Sequence, residues 1–198
     1  MPESSFHGPV LIALAHHAIA TKLDIPHTAI SPNDHAWLAK NAASFVTLTL
    51  HGQLRGCIGT LEAYRPLIDD VRSNAVAAAV HDPRFTPLSR SEYDAIRIEV
   101  SVLSEMQCVN AQDEHSAIAN IRPGIDGVVL QYGTHKATFL PQVWDQLPDP
   151  RQFLAHLKEK AGLSPNFWHP DMQLHIYQVN KFHEHKNEHK NEHSGSGD

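Results

Sequence analysis

An α+β fold, with mixed or antiparallel sheets flanked by helices, is predicted by two patterns in this chain. Twice, a pair of short apolar/polar segments meets across a glycine-containing turn, and around these hairpins the apolar period lengthens to that of helices. At 198 residues, 41% of them hydrophobic, the chain is long enough to bury a core without disulfide staples, as one domain or two intimately packed lobes. Residues 1–182 are expected to form that domain.

Pro9 to Leu23 reads as the first helix, with Leu11, Leu14, Ala18 and Ile19 toward the core and His17, Thr21 and Lys22 toward solvent. Pro26 and Pro32 break it, and Ser31 to Asp34 carries a turn or helix-entry signal. Phe45 to Leu50 then alternates apolar and polar, His51-Gly52 supplies a turn, and Gln53 to Ile58 runs back, so a hairpin is expected with Cys57 late in its second strand. Pro66 to Val80 is the strongest helix, with Leu67, Val71, Ala75 and Ala78 at helical spacing and Asp69 and Asp70 in the first turn. Pro83 stops it, Ser89 to Tyr93 is a short helical turn, and Ile96 to Leu103 alternates as a strand.

Beyond Cys108, Asp113 to Asn120 is a candidate helix, followed by turn residues Pro123, Gly124 and Gly127. Val128 to Tyr132 and Lys136 to Leu140 make a second hairpin, and Pro150 to Ala161 is a helix capped by Gly162. Gln173 to Phe182 reads as one final strand with a break in alternation near Gln178. Residues 183–198 are a low-complexity, His-rich tail with almost nothing to bury; on a helix, His185, His189 and His193 would share one face and bind a divalent metal, but nothing behind them would hold those ligands.

Composition narrows the function classes. Net charge is -6 with His neutral, and no Lys/Arg block is interleaved with aromatics, so nucleic acid is not an expected partner. No apolar run reaches membrane-spanning length, and Val10 to Ile19 lacks a signal peptide's basic start and cleavage site, so a cytoplasmic protein without a membrane partner is expected. Cys57 and Cys108 are then expected to remain independent thiols. No Walker loop, dinucleotide-type glycine pattern, zincin helix or metal-spaced cysteine pair occurs, so no cofactor is indicated.

Chemistry concentrates in Leu54-Arg55-Gly56-Cys57-Ile58-Gly59-Thr60. Glycines beside the cysteine leave the sulfur uncrowded, and with ideal pleating Arg55 shares the Cys57 face, where its charge favours thiolate over thiol. The helix opening at Pro66 is a second candidate activator, through its N-terminal amides, while His81 and Arg84 are expected at that helix's far end. The plainer reading makes Cys57 a half-buried residue packed against the alanine-rich helix. Arg84 is either an anchor for an anionic substrate group or, with Asp82, a fastener of the following loop. Glu99 is either a general acid/base or the partner of Arg55 or Arg84. Cys108, His51 and His135 read as a filler residue and two exposed turn residues.

Five strings occur in order along the chain: Leu54 to Thr60, Asp82-Pro83-Arg84-Phe85-Thr86-Pro87-Leu88, Glu99 to Ser104, Gly127 to Leu130, and Ala137 to Trp144. Together they resemble the AMMECR family, the protein A component of the AmmeMemoRadiSam system in bacteria and archaea, from about Leu11 to Phe182. The sequence departs from the family's usual wording at Leu61, where an aromatic is common, and at Thr86, where proline is common. The resemblance implies an α+β fold with a larger and a smaller lobe around a cleft that Arg-Gly-Cys-Ile-Gly faces. It also implies association with a Memo-like protein and a radical SAM protein, and it names no reaction. Two functions remain. One is an enzyme acting on a small substrate with Cys57 as nucleophile, Arg55 and Glu99 assisting, and Gly56, Gly59, Thr60 and Arg84 contacting substrate. The other is a non-catalytic partner or small-ligand module of that system, with the thiol incidental.

Overall fold

The computed structural model describes residues 4–27 and 35–184. The Ser31 to Asp34 signal and the tail histidines His185, His189 and His193 lie outside the described residues. Among the described residues four α-helices, α1 (Ser4–Lys22), α2 (Leu67–Val80), α3 (Glu114–Ala119) and α4 (Pro150–Lys160), accompany eight strands. Strands β1 (Ser44–Leu50), β2 (Gln53–Gly59), β3 (Ile96–Leu103) and β8 (Val179–His183) form one antiparallel sheet in the order β2-β1-β3-β8. Strands β4 (Gln107–Cys108), β5 (Gly127–Tyr132), β6 (His135–Phe139) and β7 (Gln173–Tyr177) form a second, in the order β4-β7-β5-β6.

Alternation decides what each face of the first sheet meets. Val46 and Leu48 of β1 with Ile96, Ile98 and Val100 of β3 pack against Leu11, Leu14 and Ile19 of α1 and Val71, Ala75 and Ala78 of α2. Phe45, Thr47, Glu99, Ser101 and Leu103 alternate with them, so they face the other way, toward the second sheet. That second unit has its own core, in which Trp144 stacks on Phe153 at 3.7 Å and donates its indole N–H to the Asp126 carbonyl. A thin seam of Ala43, Leu103, Val129 and Tyr177, joined by Phe45, Leu61, Leu140 and Val179, connects the sheets.

Several boundaries differ from the pattern-based expectation. Helix α1 begins before Pro9 rather than at it, because His7 stacks on Trp37 at 4.0 Å and Gly8 packs against the Phe182 ring, so tertiary contacts hold the turn that proline weakens. The segment Gln173 to Phe182 is two strands: β7 ends in the second sheet, Gln178 bridges, and β8 enters the first. At the same crossing Ser104 N–H donates to the Gln178 carbonyl and Gln178 N–H to the Ser104 hydroxyl, each at 2.9 Å. Residues 107–177, the whole second sheet, are thus inserted between two neighbouring strands of the first. Among the described residues no helix is long and apolar enough to cross a membrane.

Candidate functional site

The first hairpin turns through His51 and Gly52, both with positive φ (52° and 80°), the geometry of a tight primed turn. Its ladder runs in register until Leu48 opposes Gly56 and Thr49 opposes Leu54, which leaves Arg55 as an extra, unpaired residue. That bulge breaks the ideal pleat on which a shared Arg55–Cys57 face depends. The Arg55 guanidinium forks onto the Glu92 carboxylate at 2.9 and 3.2 Å and donates to the carbonyls of Thr86 and Pro87. Its hydrogen bonds hold Glu92 down at about 2.

The glycines answer to packing. A Cβ on Gly56 would stand 2.1 Å from the Ala78 carbonyl oxygen of α2, and one on Gly59 would stand 2.2 Å from the Phe45 ring. Gly56, not Cys57, is therefore the residue pressed against the alanine-rich helix. It touches the C-terminal end of α2, so the helix's N-terminal amides are not beside the thiol; that end holds Thr60 instead. The Thr60 hydroxyl donates to Asp70, a fully buried carboxylate that also receives Ser44 N–H and hydroxyl, Asn74 and Arg65.

Cys57 is half-buried on the opposite face. Register aligns it with Thr47, Thr47 with Glu99, and Glu99 with His183, one row across all four strands. The Thr47 hydroxyl donates to Cys57 Sγ at 3.3 Å. Glu99 pairs with neither arginine: one oxygen accepts from the Ser101 hydroxyl at 3.2 Å and the other lies 3.0 Å from His183 Nδ1. Above this row opens a cavity of about 470 Å³, lined on the sheet side by Cys57, Thr47, Glu99, Ser101 and Lys181. Ile125, Leu140 and Asp145 of the inserted unit line it too.

The chain after α2 folds back onto the thiol's backbone. Asp82, 4% exposed, accepts the Cys57 N–H at 2.9 Å, and Arg84 donates to the Cys57 carbonyl at 3.3 Å while forking onto Asp82. The Arg84 side chain holds the Asp82 carboxyl well below the usual carboxylate range, against burial that pushes it up. His81 is exposed at the end of α2. Cys108 is exposed on β4, and His135 is tied to the Ala161 carbonyl at 2.8 Å. Among the described residues no group of three or more His, Cys, Asp or Glu is placed to hold a metal ion.

The motif reading thus located the thiol and Glu99, which share one cavity, and the structure separates them from Arg55, Gly56 and Thr60. It missed Thr47, Ser101, Lys181 and His183. The first three were visible only as alternate positions in strands whose neighbours were unknown, and the inserted unit's contributions had no sequence signal.

Comparison with known proteins agrees with this architecture. A sequence profile of the AMMECR1 family matches residues 12–182. A protein of Methanothermobacter thermautotrophicus is 36% identical over 186 residues, covering 92% of this chain and 97% of its own. One from Methanopyrus kandleri is 33% identical, covering 89% and 88%. The crystal structure of the uncharacterized protein PH0010 from Pyrococcus horikoshii superposes with a TM-score of 0.72 at 32% identity, covering 89% of this chain and 91% of that one. On the profile match, the relatives and the shared fold together, the chain belongs to the AMMECR1 family.

Proposed function

We propose that this protein is a cysteine-dependent group-transfer enzyme that acts on a small molecule held in the cavity above the first sheet. One observation carries the reading. The Cys57 side chain opens into about 470 Å³ of space shared with two carboxylates, two hydroxyls and a lysine, where a packing cysteine would be enclosed by apolar neighbours. The volume suits a small ligand, for which sites of roughly 300–1,000 Å³ are usual.

In the reaction, Cys57 Sγ bonds to an electrophilic carbon of the substrate, the bond from that carbon to its leaving group breaks, and the thiol proton departs with that group. A second nucleophile, water or an acceptor molecule, then takes the carbon, and its proton returns to sulfur. Glu99 is the carboxylate that carries protons between these partners. Lys181 and Asp145 offer charged contacts at the cavity wall, while Gly56, Gly59 and Thr60 shape the strand that bears the thiol. By resemblance, the activity belongs beside a Memo-like protein and a radical SAM protein, and the sequence expectation sets it in the cytoplasm.

A second reading, a non-catalytic ligand-binding module, is favoured by one observation: among the described residues the sulfur's polar partner is a hydroxyl rather than a histidine or carboxylate. Incubating the protein with a metabolite extract and reading its intact mass separates the two. A substrate-derived adduct on Cys57, absent from Cys57→Ala, is the expected result. Full complementation by Cys57→Ala in cells lacking the native copy would leave only the binding module.

A further inference from the structure

Cys57 sits on β2, an edge strand. Its N–H and C=O turn outward from β1, which makes Thr47–Cys57 a pair without mutual backbone hydrogen bonds, the kind whose side chains stand closest. At an open edge those two groups would face water. Here a neighbouring strand is replaced by two side chains from 25 and 27 residues downstream. Asp82 takes the amide and Arg84 the carbonyl, and the two are locked together by three further contacts: Arg84 Nε and Nη2 donate to the Asp82 oxygens at 3.0 and 2.7 Å, and the Arg84 amide at 3.1 Å.

We propose that Asp82 and Arg84 are a positioning pair for the Cys57 thiol, fixing its peptide so that Sγ points into the cavity and setting the charge that an incoming reagent meets there. The inference rests on the reactive-thiol reading of the cavity. It assigns Arg84 a place on the enzyme's own backbone in preference to substrate, and of the two arginines Arg55 and Arg84 it is Arg84 that adds its charge to those of Lys181, Glu99 and Asp145 on the cavity wall, since Arg55 is spent on Glu92. Arg84 is more than half exposed, so its field reaches solvent, while the Asp82 carboxylate behind it is almost wholly enclosed. Asp82 partly cancels that field. Removing one partner or the other therefore has opposite electrostatic consequences, which loss of structure alone cannot produce.

The test uses the full chain with Cys108→Ala and compares alkylation of Cys57 by neutral iodoacetamide and anionic iodoacetate. The ratio of the two rates reports local charge independently of thiol exposure. Arg84→Gln is expected to lower the iodoacetate-to-iodoacetamide ratio about threefold, Arg84→Lys to restore most of it, and Asp82→Asn to raise it. Melting temperatures identify any variant that fails to fold, and the two Arg84 variants suffice if Asp82→Asn is lost. A ratio that is unchanged, or that moves the same way in Arg84→Gln and Asp82→Asn, overturns the pair's role while leaving the thiol reading intact. No labelling of the folded parent by either reagent overturns the thiol reading, and the positioning role with it.

Discussion

Thr47 donates its hydroxyl hydrogen to Cys57 Sγ at 3.3 Å, across the first hairpin and on the face turned to the cavity. A hydroxyl that donates to sulfur stabilises a thiolate more than a neutral thiol, since hydrogen bonds to charged acceptors are the stronger kind. Thr47→Val keeps the shape and deletes the donor. Iodoacetamide labelling of Cys57 in this variant is expected to slow about threefold or more, with melting temperature nearly unchanged; equal rates would mean the contact is incidental.

Gly56→Ala addresses packing alone. The added methyl meets the Ala78 carbonyl, a backbone atom inside α2 that cannot rotate away. Overpacking of this kind costs about 2–3 kcal/mol, which for a chain of this size lowers Tm by roughly 4–12 °C. Differential scanning calorimetry checks it. A neutral outcome would show that β2 slides freely over the helix.

Asp70 gathers donors from β1, α2 and the segments beside them into one buried site. Asp70→Ala strands Ser44, Asn74, Thr60 and Arg65 together and is expected to cost about 3–5 kcal/mol in urea unfolding. Thr60→Val removes a single donor and should cost about 1–2 kcal/mol. Similar losses for the two would contradict the network's hub.

Acid stability follows from Glu92 and Asp82. Both carboxyls titrate lower in the folded chain than the value of about 4 expected when unfolded, Glu92 at about 2 through its Arg55 fork and Asp82 lower still through Arg84. The unfolded chain therefore binds more protons in that interval, so stability is full above about pH 5 and falls as the pH drops toward 2. Urea midpoints between pH 6 and pH 2.5 should decline, and less steeply in Glu92→Gln. An equal slope in that variant would assign the acid sensitivity elsewhere.

Arg55→Lys keeps the charge but cannot fork onto Glu92 while reaching the Thr86 and Pro87 carbonyls. A loss of about 1–2 kcal/mol is expected from chemical denaturation. In Arg55→Gln, which removes the charge, the iodoacetate-to-iodoacetamide ratio at Cys57 should stay at the parent value. A change in that ratio as large as that of Arg84→Gln would return the activating role to Arg55.

Much of the fold was legible because its rules are local. Alternation in Phe45 to Leu50 and Ile96 to Leu103 named both strands, the helical period named α2, and Gly162 marked the end of α4. The break at Gln178 was visible as well, yet nothing local distinguishes a bulge from a transfer between sheets, since β7 and β8 each satisfy the same period of two. The site was half legible for a related reason. Cys57 stood out by its glycine neighbours and Glu99 by being an acid in a strand, but the extra residue at Arg55 follows from register, which a single strand does not carry.

By itself the sequence determined the fold class, both hairpins, the principal helices and family membership, all of which rest on periods and strings read within a few residues. Only the tertiary structure decided that Gly56 rather than Cys57 meets the helix, that Thr47 and Glu99 share the thiol's row, that Asp82 and Arg84 hold its backbone, and that an inserted unit roofs the cavity. The strand pairings among them join residues from 10 positions apart, Thr47 and Cys57, to 52, Thr47 and Glu99. Closing such loops costs an entropy that rises only slowly with length, so distance along the chain barely constrains which partners meet, and packing of the two sheets makes the selection.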